Sequence, residues 1–172
     1  GVIIAVILKT TKKNEADVSS IRVGLGAGVE PTLHQEFEEQ FRIPLIEVWG
    51  MTEMCRIIAV TEEPRLIHTR AMGRPRDGLE IRVIDEHEND VPTGSQGEMI
   101  IRYSDTSPRK GAFSGYLGDE KSTELAWRGG WFHTGDTVIM DRTKMLYFID
   151  RKKNIIRRSG ENIAAAEVEN CI

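Results

Sequence analysis

Leu45-Ile46-Glu47-Val48-Trp49-Gly50-Met51-Thr52-Glu53 begins as a short, largely apolar run and ends by setting an aromatic face, a bare backbone, a hydroxyl and a carboxylate side by side. Leu45 to Trp49 has the length and texture of a strand in a parallel sheet. The carboxyl end of such a strand opens onto a crevice where ligands bind, which is where Gly50 to Glu53 would be delivered. Upstream, Ile21 to Leu25 alternates as a strand does and runs into the turn Gly26-Ala27-Gly28. Pro31 suits the first turn of a helix, and Leu33, Phe37 and Phe41 recur every fourth residue to give an apolar stripe that ends near Ile43-Pro44. Strand, helix and strand make a βαβ unit.

From about residue 73 the texture changes. Gly73-Arg74-Pro75 gives way to candidate strands at Leu79 to Asp85 and Gly97 to Tyr103, separated by the turn-rich stretch Glu88 to Gly94. A brief helical pattern opens at Asp119, and Trp131-Phe132 leads into a tight turn at Thr134-Gly135-Asp136. Val138 to Met140 and Met145 to Ile149 predict a hairpin across Asp141 to Lys144. Asn154 to Arg158, with a turn at Ser159 to Asn162, precedes a helix-forming run from Ala164 to Glu169. The fold expected is α/β plus β. A βαβ part spans 1–72, a mainly antiparallel β subdomain spans 73–150, and a charged junction at Asp150 to Lys153 opens a third segment at 151–172.

The chain has 172 residues, 40% of them hydrophobic, enough for a true core. A net charge of -4 with both signs interspersed argues against nucleic acid and anionic membrane surfaces as partners. The apolar run Val2 to Leu8 is far shorter than the roughly 20 residues of a membrane span, and it reads as a buried element. Cys55 and Cys171 lack metal-ligand spacing and fit a reducing, cytoplasmic setting. His34, His68, His87 and His133 lack zinc spacing, and no Gly-rich lysine loop of the P-loop kind occurs.

A nucleoside triphosphate presents a flat base, a vicinal diol and a metal-bound polyanion. Gly26, Ala27 and Gly28 carry almost no side chain, so their backbone could approach an adenine edge closely, although an ordinary βα turn has the same composition. Trp49 could stack on a base, Thr52 could donate to a phosphate oxygen, and Glu53 could hold Mg2+. A core tryptophan followed by a helix N-cap at Thr52-Glu53 is the plainer reading of the same segment. Asp136 could accept from both ribose hydroxyls or simply bond its own turn, and Arg151 offers a planar fork for phosphate or ribose oxygens.

Taken in order, Gly26-Ala27-Gly28, Trp49 to Glu53, Gly73 to Pro75, Gly130 to Asp136, Asp150 to Lys153 and Arg157 to Asn162 resemble the motif series of the adenylate-forming superfamily of acyl-CoA ligases, nonribosomal adenylation domains and firefly luciferase. The resemblance covers essentially the whole chain. It implies that Gly26, Ala27 and Gly28 line an adenine pocket and that Trp49 stacks where the family has tyrosine. It further implies that Thr52 contacts the α-phosphate, Glu53 binds magnesium, and Asp136 and Arg151 meet the ribose and phosphate. Gly50 and Met51 would border the acyl pocket, Lys153 would be the pivot of a small C-terminal domain, and Gly160 and Glu161 would face CoA. Gly28 stands where the family usually has proline.

The activity so implied is ATP-dependent carboxylate-CoA ligation, with ATP/AMP, Mg2+ and CoA as cofactor and co-substrates and a small carboxylic acid as partner. The stretch Ser159 to Glu169 looks closest to small-acid and carnitine-type CoA ligases. An adenylation domain that loads a carrier protein, or a non-catalytic nucleotide-binding module, would share most of these motifs. The family's phosphate loop would precede Gly1 and its catalytic lysine would follow Ile172. The chain opens inside an apolar run and closes inside a helical pattern, so a fragment of a larger ligase is expected, inactive alone and prone to self-association through Val2 to Leu8.

Overall fold

The computed structural model describes residues 2–11, 17–152, 155–158 and 161–164. By internal contacts the chain divides into two compact units, one of Gly1–Gly50 with Ile57–Arg74 and one of Met51–Arg56 with Pro75–Ile172.

The first unit opens with helix α1, Val2–Thr10, and continues through strand β1, Gly24–Gly26, helix α2, Pro31–Phe41, and strand β2, Leu45–Met51. β1 and β2 pair in parallel, with Gly24 opposite Leu45 and Gly26 opposite Glu47, so the expected βαβ unit is present. Strand β3, Arg56–Ala59, completes the sheet order β1-β2-β3, and the short strand β4, Ala71–Gly73, closes the unit. Pro31 occupies the first turn of α2, and Arg42 ends the helix in the left-handed conformation with its N–H on the Glu38 carbonyl. Phe37 packs with Ile4, Val29, Ile43 and Leu45, while Leu33 and Phe41 flank that core. The fourfold stripe is therefore the buried face of α2.

Val2 to Leu8 does not form the buried element expected from its composition. It is a helix whose Ile4 is buried while Val2, Ile3 and Val6 are exposed, because only one side of α1 meets the core around α2. The strand expected at Ile21 to Leu25 is shorter and shifted to Gly24–Gly26, and Ile21, Val23 and Leu25 are all exposed. Alternation alone could not show that only the glycine end finds a partner strand.

The second unit carries strands β5, Glu80–Ile84, β6, Gln96–Arg102, β7, Phe132–Met140, and β8, Leu146–Arg151, which run antiparallel in the order β8-β7-β6-β5. Its core includes Met99, Ile101, Phe132, Val138 and Leu146, each essentially without solvent exposure. Helix α3, Glu120–Ala126, starts where expected because the Asp119 carboxylate accepts the Ser122 N–H. Strands β9, Ile155–Arg158, and β10, Glu161–Ala164, form an antiparallel hairpin. Glu161 and Asn162 thus lie in a strand rather than in the expected turn. Lys153 and Gly160 lie outside the described residues, as do 165–172, which include most of the predicted terminal helix.

Thr134-Gly135-Asp136 is a bulge inside β7 rather than a tight turn between elements. His133 pairs with Ile100 and Thr137 with Glu98, so three β7 residues stand against Met99 alone. Gly135 takes a φ of 69°, the left-handed geometry that lets the strand bend and resume. Among the described residues, no helix is long and apolar enough to cross a membrane.

Gly73 sets a stringent local constraint. Its φ is 117°, and a Cβ built on it would lie 2.5 Å from the carbonyl oxygen of Ala59. Backbone cannot yield as a side-chain tip can, so Gly73→Ala should destabilise the fold by about 2–4 kcal/mol in chemical denaturation. An unchanged denaturation midpoint would show that β4 can move away from Ala59.

Candidate functional site

In the first unit, the turn after β1 is tied to β2 by one side chain. Glu47 Oε1 accepts the Gly28 N–H at 2.6 Å and Oε2 accepts the Val29 N–H at 3.3 Å. Burial pushes the Glu47 carboxyl above its ordinary range, while these two N–H bonds pull in the opposite direction. Gly26 is close-set as well, since a Cβ there would come within 2.5 Å of Val29 Cγ2. The Gly26-Ala27-Gly28 turn is thus a fixed backbone surface with Gly28 in the left-handed region at a φ of 61°. Trp49, at the far end of β2, is only 7% exposed and sits in the core, as the plainer reading of that residue had it.

The second unit begins at Met51, and Thr52 to Cys55 form a turn in which the N–H groups of Met54 and Cys55 both reach the Met51 carbonyl. No helix starts at Thr52-Glu53, so the N-cap alternative fails. Thr52 is exposed and Glu53 is half-buried. The Glu53 carbonyl accepts the Phe113 N–H at 2.7 Å, and its carboxylate accepts the Tyr116 hydroxyl at 3.2 Å. Partial desolvation and the Glu53 charge push the Tyr116 phenol above its ordinary range, which keeps it a donor.

Asp136 and Arg151 face each other in the β7–β8 register, and Arg151 Nε lies 2.9 Å from Asp136 Oδ1. Arg151 Nη1 also donates to the Thr134 carbonyl at 3.2 Å. The Thr134 hydroxyl donates to the Met99 carbonyl at 2.6 Å and accepts the Asp136 N–H at 3.1 Å, which secures the bulge from within. Asp136 is 1% exposed while nearly half of the Arg151 side chain meets solvent. The pair therefore presents a cationic fork backed by a buried anion.

Beside it lies a second charged cluster. Lys152 Nζ is 2.7 Å from Glu98 Oε2, and His133 Nδ1 is 3.4 Å from Glu98 Oε1. Burial opposes the Glu98 charge, yet His133 and Lys152 outweigh it and hold the carboxyl at about 2. Sequence reasoning missed Glu47, Tyr116 and Glu98. A charged residue inside an apolar strand was a visible signal for Glu47, but nothing local marks Tyr116, which lies 63 residues from Glu53.

Among the described residues there is no group of three or more His, Cys, Asp or Glu side chains able to cage a metal. Magnesium usually keeps several waters and takes one or two carboxylates together with substrate phosphates, so a single hard carboxylate such as Glu53 fits that ion.

The family of AMP-binding enzymes matches residues 2–117, and the chain belongs to it. A long-chain-fatty-acid–CoA ligase of Escherichia coli O6:H1 is 28% identical over 168 residues, covering 96% of this chain and 29% of that protein. A crotonobetaine/carnitine–CoA ligase of Escherichia coli O45:K1 is 34% identical over 137 residues, covering 79% of this chain and 26% of its own length. The chain therefore spans about a quarter to a third of these relatives. Among solved structures, the anthranilate CoA ligase AuaEII in complex with anthranoyl-AMP shares the fold at a TM-score of 0.81, with 24% identity over 96% of this chain and 31% of that one. O-succinylbenzoate coenzyme A synthetase from Bacillus subtilis, solved with ATP and magnesium, has a TM-score of 0.77 and 27% identity over 98% of this chain and 34% of that one.

Two tests follow from this geometry. Glu47→Ala should free the Gly28 and Val29 N–H groups and speed their hydrogen exchange by at least about tenfold, the effect of losing a bond of about 1.4 kcal/mol; unchanged protection would mean the turn holds itself. Glu98 has a depressed folded pKa, so its contribution to stability is full above the ordinary carboxylate value of 4.5 and is lost as pH falls toward about 2. Thermal midpoints measured from pH 5 to 2 should drop more steeply for the native protein than for Glu98→Gln. Parallel slopes would contradict this.

Proposed function

We propose that this chain is the nucleotide-facing portion of an AMP-forming carboxylate-CoA ligase. The observation that carries the proposal is the turn after β2, where Thr52 and Glu53 stand at a strand end in a chain of the AMP-binding family. The two Escherichia coli relatives are both named as CoA ligases, which supports CoA over a carrier protein as acceptor and fatty-acid metabolism as a setting. The acid partner is a carboxylic acid, and a cytoplasmic location accords with two cysteines that lack disulfide or metal patterning.

In this reading a carboxylate oxygen attacks the α-phosphorus of ATP and pyrophosphate leaves. The CoA thiolate then attacks the acyl carbonyl and AMP departs. Neither step requires a covalent bond to the protein, so the residues act by positioning and by charge. Thr52 donates its hydroxyl to an α-phosphate oxygen. Glu53 is the residue that would hold magnesium, whose charge offsets that of the phosphates when it is bound. Gly26, Ala27 and Gly28 offer backbone groups to the adenine edge, and Trp49 supports the base from the core. Arg151 donates to ribose and phosphate oxygens, and Asp136, the acceptor for the ribose hydroxyls, also fixes the direction of the guanidinium fork. Gly50 and Met51 border the acyl group. Lys153 serves as the pivot of the small domain, and Gly160 and Glu161 approach CoA. The chain alone, spanning about a third or less of its relatives, is proposed to turn over only as part of the longer protein.

The test is a pair of assays on the full-length protein. Acid-dependent pyrophosphate exchange should appear, and AMP release should then require CoA and no carrier protein. No exchange with any acid would favour a non-catalytic binding module, and release that needs a carrier would favour a carrier-loading domain. Asp136→Asn should weaken ATP binding by about 1–3 kcal/mol, the range for losing charge-assisted hydrogen bonds, as read by calorimetry. Unaltered ATP affinity would remove Asp136 from the nucleotide site.

A further inference from the structure

The Thr52-Glu53 turn is gripped by a segment that the motif series leaves out. Phe113 donates its backbone N–H to the Glu53 carbonyl at 2.7 Å, and three residues later Tyr116 donates its hydroxyl to Glu53 Oε1 at 3.2 Å. One short stretch thus fixes both the backbone and the carboxylate of the same residue. Tyr116 is itself held in place. Its N–H donates to the Thr123 hydroxyl at 2.9 Å, and that hydroxyl donates to the Asp119 carbonyl at 2.9 Å. Thr123 is buried in α3, whose start is capped by Asp119. Gly115 lets the segment pass close to this helix, because a Cβ there would come within 3.1 Å of Thr123 Oγ1, at a φ of 148°. Phe113 and Tyr116 stack edge to face at 5.0 Å, and Phe113 stacks in turn on Phe132 at 5.9 Å, at the start of β7. The phenol is therefore set by α3 and β7, while the side chain remains open enough, at 39% exposure, to stand at a ligand-facing surface.

We infer that Tyr116 is a positioning residue for Glu53, turning its carboxylate so that Oε1 is held by the phenol and Oε2 is presented to a divalent cation arriving with the nucleotide. This rests on the proposed role of Glu53 as the magnesium ligand. A free glutamate side chain has three rotatable bonds, and its ordering must be offset at the moment of cation binding. The Tyr116 hydroxyl removes part of that cost beforehand, which is the usual effect of an outer partner on a metal-ligating carboxylate. The hydroxyl touches neither nucleotide nor cation in this scheme, so its removal acts through Glu53 alone.

The test uses the full-length protein with Mn2+ as a spectroscopic probe and a nonhydrolysable ATP analogue. Free Mn2+ is followed by electron paramagnetic resonance for the native protein, Tyr116→Phe and Glu53→Gln. Tyr116→Phe keeps the ring and its contact with Phe113 and removes only the donor. It should weaken Mn2+ binding in the ternary complex by about three- to tenfold, the scale of one hydrogen bond, with an unchanged thermal midpoint. Glu53→Gln should weaken it further, and the double variant should be no worse than Glu53→Gln alone. Adding Tyr116→Phe to Glu53→Gln is the arm a merely structural role would move, since a general loosening of the turn would add to the loss. If Tyr116→Phe binds Mn2+ like the native protein while Glu53→Gln does not, the inference is overturned and the reading of Glu53 stands. If Glu53→Gln also binds Mn2+ normally, the assignment of Glu53 fails and this inference falls with it.

Discussion

A carboxylate withdrawn from water must be met by donors or it will not stay charged, and three such groups set the local shape of this chain. Glu47 is met by the N–H groups of Gly28 and Val29, Asp136 by the Arg151 guanidinium, and Glu98 by Lys152 with His133 nearby. Two of these solutions coincide with special backbone geometry. The Glu47 bonds hold a glycine turn in one geometry, and the Asp136 pair accompanies a bulge that interrupts β7 for three residues opposite one.

The two units use different means to the same end. In the first, a parallel strand pair with its crossover helix α2 brings the Gly26 turn beside Glu47, so the fixed geometry of that turn follows from topology. In the second, an antiparallel sheet carries Asp136 and Arg151 on neighbouring strands, where register alone places them opposite each other. The Thr52-Glu53 turn is held by Phe113 and Tyr116, which stack through Phe132 to the start of β7. Packing of aromatic side chains thus fixes a polar group that local backbone bonds could not orient by themselves.

Much of the fold was legible because it rests on local rules. Pro31 and the stripe of Leu33, Phe37 and Phe41 define α2 through propensity and a period of about four, and Asp119 starts α3 by capping. The hairpin of β7 and β8 follows from two apolar runs that flank a polar turn. Several local readings failed, three of them for reasons visible in the packing and pairing. Val2 to Leu8 is apolar all round but meets a core on one side only, Ile21 and Val23 alternate without a partner strand, and Thr134 to Asp136 has turn composition because a bulge needs the same residue types as a turn.

Composition, spacing and motif order determined the class of elements, the family resemblance and the identity of the polar groups that could meet a nucleotide. They could do so because helix period, strand alternation and turn chemistry act over a few residues. Only the tertiary structure decided which of those groups are buried and what holds them: Trp49 in the core, Asp136 behind Arg151, Glu47 across 19 residues to Gly28, and Glu53 beneath a phenol 63 residues away. Contacts of that separation depend on where the sheet brings distant segments together, and no periodicity in a single sequence records it.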